Sequence, residues 1–208
     1  MFAPETGRWL LPSLAAILVA AAAFAFRLLP FSLIYLGVLV IAFGYWGFFA
    51  AFFRDPERAT GAGIVSPADG RVTEVTREEG RVRIAVFMNV TDVHVNRFPV
   101  AGRVESIETS GEGFRPAFVP DARHNLQQRF GLDSELGKVE VVQMTGAIAR
   151  RLVSFVAIGE SHAKGERLGM IVIGSRVDTI LPAGRVKVTV EVGDVVRAGV
   201  STIARERD

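Results

Sequence analysis

Pro67-Ala68-Asp69-Gly70-Arg71-Val72 recurs as Pro99-Val100-Ala101-Gly102-Arg103-Val104, with a shortened echo at Pro182-Ala183-Gly184-Arg185-Val186. An internal repeat of this kind marks a fold built from related supersecondary units. The stretch between the two copies decides what the units are made of. In Arg81 to Met88, Val82, Ile84, Val86 and Met88 fall on every second position, and Val186, Val188 and Val190 repeat the pattern. Period-two alternation between glycine-containing turns predicts short strands. A second repeat pairs glycines: Gly159 with Gly165, and Gly193-Asp194 with Gly199. Asp69-Gly70 reads locally as a hairpin turn. Helical signal is thin here, and Asp121 to Leu136, with His124, Asn125 and a glutamine pair, reads as one short helix or an active-site loop.

The first quarter of the chain is different. Trp9–Phe26 and Leu28–Phe53 contain no charged residue and are interrupted by Arg27. Each run is near the ~20 apolar residues that cross a bilayer as a helix. Pro30 in the short connector suits a turn or a helix start, so the segment predicts a helical hairpin, spanning twice or re-entrant. Arg8, Arg54 and Arg58 would then lie on one side and Arg27 on the other. The positive-inside rule puts the remaining domain in the cytoplasm, at the inner membrane. Residues 1–55 are the expected anchor, and 56–208 the expected domain.

The chain has 208 residues, half of them hydrophobic, a formal charge of +2 and no cysteine. The missing cysteines exclude disulfides, thiolate zinc sites and a cysteine nucleophile. No histidine–carboxylate spacing suggests a metal, and no aromatic-interleaved basic stripe suggests nucleic acid. The paired glycines resemble turn signatures of the lipoyl and biotinyl carrier fold, a barrel-sandwich of bent strands. Counting on from Gly165 to where a carrier domain presents its modified lysine leads to Gly174-Ser175. No lysine is there, which argues against biotin or lipoate and leaves a hairpin tip able to present another group.

Three segments together resemble the phosphatidylserine decarboxylases: Ser66-Pro67-Ala68-Asp69-Gly70, then Phe87-Met88-Asn89-Val90-Thr91-Asp92-Val93-His94-Val95-Asn96-Arg97, then Gly169-Met170-Ile171-Val172-Ile173-Gly174-Ser175-Arg176-Val177-Asp178. Phe53-Arg54-Asp55-Pro56-Glu57-Arg58 and Ala149-Arg150-Arg151 support them, and the apolar N-terminus fits the short anchored form. The resemblance implies a proenzyme whose Ser175 attacks the Gly174 carbonyl. The products are a large chain, 1–174, and a small chain, 175–208, which stay together as a heterodimer, with a higher oligomer left open. Ser175 becomes a covalent pyruvoyl group. That group forms a Schiff base with the amine of phosphatidylserine, and carbon dioxide leaves to give phosphatidylethanolamine.

A serine hydroxyl needs a base near neutral pH. His94 is the candidate, with Asp69 to hold its tautomer in the manner of a serine–histidine–aspartate triad. Long members of the family carry a second histidine where this chain has Arg97, which is too basic to serve as a base. Arg97 is instead an expected contact for the lipid phosphate, with Asn96 and His124 as further substrate-contact candidates. Arg150 and Arg151 meet anionic lipid or form a solvated edge. Two other readings compete. A tethered carrier-like β domain without activity predicts an intact chain, and a pyruvoyl decarboxylase for a soluble amino acid leaves the anchor without a purpose.

Overall fold

The structure, a computed structural model, describes residues 2–3, 6–25, 32–113, 115, 124–146, 151–172 and 175–207. The chain divides into two compact units, Met1–Glu57 and Arg58–Asp208.

The first unit holds helices α1 (Thr6–Ala25) and α2 (Ser32–Phe52). The window Thr6–Ala23, with mean hydropathy 1.4, is long and apolar enough to cross a membrane; Leu36–Phe52 is a shorter apolar stretch. Phe2 bridges Arg54, and the Ala3 amide donates to the Phe53 carbonyl at 2.9 Å. The start of α1 therefore lies beside the end of α2. Leu18, Val19, Val40 and Ile41 are exposed on these helices, an unfavourable display in water and a favourable one in lipid. Arg27 and Pro30 of the expected connector lie outside the described residues.

The second unit is mainly β. In chain order its strands are β1 (Ile64–Val65), β2 (Gly70–Glu78), β3 (Arg81–Met88), β4 (Val95–Arg97), β5 (Gly102–Ser110), β6 (Gln127–Ser134) and β7 (Gly137–Thr145). They continue as β8 (Arg151–Ser154), β9 (Ser161–His162), β10 (Arg167–Val172), β11 (Ser175–Pro182), β12 (Val186–Val188), β13 (Val195–Val196) and β14 (Thr202–Glu206). An eight-stranded sheet runs β13-β2-β3-β11-β7-β6-β5-β9; two smaller sheets run β1-β14-β12 and β4-β10-β8. All their pairings are antiparallel. Val82, Ile84, Val86 and Met88, the alternating residues of β3, are all fully buried and join one core with Phe98, Phe130, Val177 and Leu181.

The sequence repeat is a repeat of hydrogen bonding. Val65 donates to the Pro99 carbonyl, and Arg97 donates to the Pro67 carbonyl, so the two copies exchange equivalent bonds where they cross. The Gly199 amide donates to Ser66 as the Gly165 amide donates to Phe98. Gly193 and Asp194 bracket Val72 as Gly159 and Glu160 bracket Val104. These correspondences describe a local two-fold relation between the copies.

Three local expectations change. Asp69-Gly70 is not a hairpin turn: Gly70 opens β2 with φ 138°, and a Cβ there would lie 2.0 Å from the Phe87 carbonyl oxygen. Only glycine tolerates both that dihedral and that approach. The glutamine pair opens strand β6 rather than a helix or a loop. Phe130 and Leu132 alternate inward there, and β5 and β7 supply the backbone partners on either side. The strands on either side of the expected hairpin tip do not pair with each other: β10 pairs with β4 and β8, whereas β11 lies between β3 and β7.

Candidate active site

Ser175 is the first residue of β11, opposite Met88 at the end of β3 and Thr145 at the end of β7. It is fully buried, and its Oγ makes no hydrogen bond. A buried hydroxyl without a partner is uncommon and calls for a reason. Gly174, the other half of the expected cleavage site, lies outside the described residues, as does Arg150.

His94 is oriented by local turn chemistry. After β3, Asn89 to Asp92 form a turn: the Asp92 amide donates to the Asn89 carbonyl, and the Asn89 amide donates to the Asp92 carboxylate at 2.8 Å. Asp92 then places its own carbonyl 2.9 Å from Nδ1 of His94. A carbonyl only accepts, so Nδ1 carries the proton and Nε2 is the basic nitrogen. His94 is fully buried, and its carbonyl accepts from the Ile171 amide in β10, the strand leading toward Ser175.

Asp69 has other partners. Both its oxygens meet the Arg58 guanidinium, at 2.5 and 2.8 Å, and the Ala198 amide donates to Oδ1. This bidentate pair ties the start of the domain to the copy of the repeat that carries Asp69. The carbonyl of Asp92, not the carboxylate of Asp69, holds Nδ1 of His94.

The remaining candidates separate. Asn96 is fully buried; its Nδ2 donates to the Met88 sulfur, and its Oδ1 accepts from Nε2 of Gln143 at 2.7 Å. Arg97, next in the strand, sends its guanidinium to the Gly165 carbonyl at 2.9 Å, as side-chain alternation along β4 requires. His124 is exposed, and its carbonyl accepts from the Gly113 amide. Its neighbour Asn125 is the buried one: Nδ2 donates to the carbonyls of Arg115 and Thr145, both at 2.7 Å. It thereby fixes Thr145, the residue facing Ser175.

A buried ion network begins one residue after Ser175. Arg176 donates to both oxygens of Asp178 and to Glu74 on β2, and Arg83 on β3 reaches Asp178 at 2.6 Å. Burial alone would push the Arg176 pKa down, but the bonds and charges of Asp178 and Glu74 outweigh it and raise it. The network fastens the first residues of β11 to two other strands. It went unread in the sequence because Arg and Asp two apart in a strand look like a solvated edge. Among the described residues, no cluster of His, Cys, Asp and Glu could hold a metal ion.

Comparison with known proteins places this arrangement. The sequence profile of the Phosphatidylserine decarboxylase family matches residues 46–204. The chain belongs to that family. A protein of Streptomyces coelicolor named phosphatidylserine decarboxylase proenzyme is 48% identical over 157 residues, covering 74% of this chain and 72% of its own length. A Halobacterium salinarum protein, provisionally named an archaetidylserine decarboxylase proenzyme, is 49% identical over 173 residues, 81% of this chain and 84% of that one. A Methanococcoides burtonii protein with the same provisional name is 37% identical over 213 residues, covering 100% of this chain and 98% of its own. The matched span holds Asp69, His94, Gln143 and Ser175.

Proposed function

We propose that the chain is a membrane-anchored proenzyme that cuts itself between Gly174 and Ser175 and then decarboxylates phosphatidylserine to phosphatidylethanolamine and carbon dioxide. The observation that carries the reading is the buried Ser175 hydroxyl, without a hydrogen-bond partner, at the head of a strand whose approach is bonded to His94.

In the precursor, Nε2 of His94 takes the proton of Ser175 Oγ, which attacks the Gly174 carbonyl carbon. The peptide C–N bond breaks as the ester C–O bond forms, and the proton passes to the freed amine. Loss of the Ser175 Cα proton then expels the Gly174 carboxylate and leaves a Cα–Cβ double bond. Tautomerisation, uptake of one water and release of ammonia convert the new terminus to a carbonyl. The site fits that group: a carbonyl has no proton to place, so the hydroxyl lacking an acceptor disappears with maturation. A pyruvoyl group supplies the electron sink for the pair left when carbon dioxide departs.

The chain's own residues do the rest. Asp92 keeps Nε2 of His94 basic toward the precursor and able, once protonated, to return a proton to the substrate carbon. Arg176, Asp178, Glu74 and Arg83 hold the new end of the small chain in the sheet after the cut, which keeps the large and small chains together as one heterodimer. Asp69 acts through Arg58 and Ala198, as a positioning residue.

The crossed repeat supports a carrier-like barrel-sandwich. The contact of Phe2 and Ala3 with Phe53 and Arg54 supports an anchoring helical hairpin, with the domain on the cytoplasmic side of the inner membrane by the distribution of arginines. Such an anchor tethers the domain to the bilayer that holds its substrate. The names of the Halobacterium and Methanococcoides relatives favour a second lipid, archaetidylserine, with the same phosphoserine headgroup. The test is release of carbon dioxide from phosphatidylserine vesicles, from archaetidylserine vesicles and from free serine. Release from either lipid and not from serine is expected; release from serine alone overturns the lipid assignment.

A further inference from the structure

Four buried oxygens without hydrogen-bond partners lie on one face of the large sheet: Ser175 Oγ, Thr179 Oγ1, Gln143 Oε1 and, opposite Gln143 on β6, Gln128 Oε1. The register explains their proximity. Ser175 faces Thr145, Val177 faces Gln143, and Thr179 faces Val141. Gln143 is thus the diagonal neighbour of Ser175, a relation of roughly 7–8 Å between backbones that a long side chain spans.

The orientation of the Gln143 amide is dictated by its surroundings. The Met88 sulfur can only accept, so Asn96 turns Nδ2 toward it and presents Oδ1 to Gln143. Gln143 must answer with Nε2, which leaves Oε1 as a fully buried acceptor. Gly169 makes room for it: a Cβ there would lie 3.0 Å from Nε2 and 3.5 Å from Oε1. An amide held this way, two residues along β7 from the position that faces Ser175, has an oxygen that lacks a donor.

We propose that Gln143 is a substrate-positioning residue, whose Oε1 accepts an N–H from the amine of the phosphoserine headgroup while Asn96 and Met88 fix the amide. The proposal rests on the reading of Ser175 given above. The amine enters a buried region as a strong donor, and after maturation the Ser175 hydroxyl is no longer there to receive it. Gln143 supplies the acceptor and aims the nitrogen at the small-chain terminus.

The test uses the full chain as wild type, Gln143→Met, Gln143→Glu and, as a control on the same face one row further from Ser175, Thr179→Val. Intact mass reads self-cleavage. Phenylhydrazine labelling of the small chain reads its carbonyl, and glycerophosphoethanolamine, the product headgroup, is tested for protection against that label. Turnover is followed on phosphatidylserine vesicles. Gln143→Met is expected to cut and label like the wild type. Its protection and its kcat/KM should both fall, by roughly ten- to a hundredfold, the worth of a bond to a charged donor. Gln143→Glu, which keeps an acceptor, should recover most of both, and Thr179→Val should stay within about twofold of wild type on the same scale.

The proposal is overturned if Gln143→Met protects and turns over like wild type, or if Gln143→Glu falls as far as Gln143→Met. It is also overturned if both glutamine variants stay uncut, which assigns Gln143 to the precursor or to folding. A wild type that never cuts removes the reading of Ser175 and this proposal with it; a wild type that cuts and decarboxylates beside an unaffected Gln143→Met removes only this proposal.

Discussion

The amide of Ile171 donates to the carbonyl of His94 at 3.3 Å. That bond pins the strand running toward the cleavage site to the segment that carries the proposed base. The imidazole is oriented at the same time by the Asp92 carbonyl, so both the position and the tautomer of His94 are set by backbone groups.

His94→Gln should therefore leave the chain as an uncut precursor, or slow its maturation by about 10²- to 10⁴-fold, the usual worth of a positioned base. Gel separation of the large and small chains over time measures it. Asp92→Ala removes the carboxylate that caps the turn but not the carbonyl facing His94, so its maturation should be slowed less. Equal loss in the two variants would place the role of the turn in the side chain of Asp92.

Asp69→Ala should destabilise the domain by about 3 kcal/mol, because it leaves the largely buried Arg58 guanidinium without its bidentate carboxylate. Measured by denaturant unfolding in a Ser175→Ala background, this effect is independent of self-cleavage. An Asp69→Ala protein as stable as its parent would return Asp69 to a purely chemical role.

These residues show what the sequence makes legible. Strand β3 could be read in advance because Val82, Ile84, Val86 and Met88 alternate with residues that do not all bury. The repeat around Asp69 and Gly102 could be read because its glycines recur at fixed offsets. Strand β6 could not, since Gln127, Gln128 and Gly131 disguise the alternation of Phe130 with Leu132, and its support comes from strands on both sides. The placement of Ser175 between β3 and β7 was also hidden: spacing along the chain does not say that consecutive strands enter different sheets. Gln143 interrupts the apolar run Val141 to Met144, and a lone amide there was the available signal. Pairing with Asn96 is a tertiary fact.

Acidification has a local consequence. The Ala157 amide, donating at 2.8 Å, and then His162 hold the Glu160 carboxyl below its usual value. A carboxyl lowered on folding stabilises the fold fully above its unfolded pKa, and that contribution is lost as pH falls through the lowered value. Glu160→Gln should therefore flatten the acid limb of thermal stability measured against pH, with little change near neutrality. An unchanged acid limb would show that Glu160 is not linked to folding.

Removal of residues 1–57 separates the two units at their observed boundary. The remaining domain should still cut itself, because His94, Ser175 and the network around Arg176 all lie within it. Its turnover on phosphatidylserine vesicles should fall while turnover on detergent-dispersed lipid is retained. Equal rates on both would deny the helices a part in reaching the substrate.

The most direct test of the central claim is the intact mass of the purified full chain beside a Ser175→Ala variant. The account predicts two wild-type chains separated after Gly174, the smaller one carrying a carbonyl in place of the amine of Ser175, and one uncut chain for the variant. A folded wild type that remains a single unmodified chain would contradict it, and would leave a tethered β domain without this chemistry.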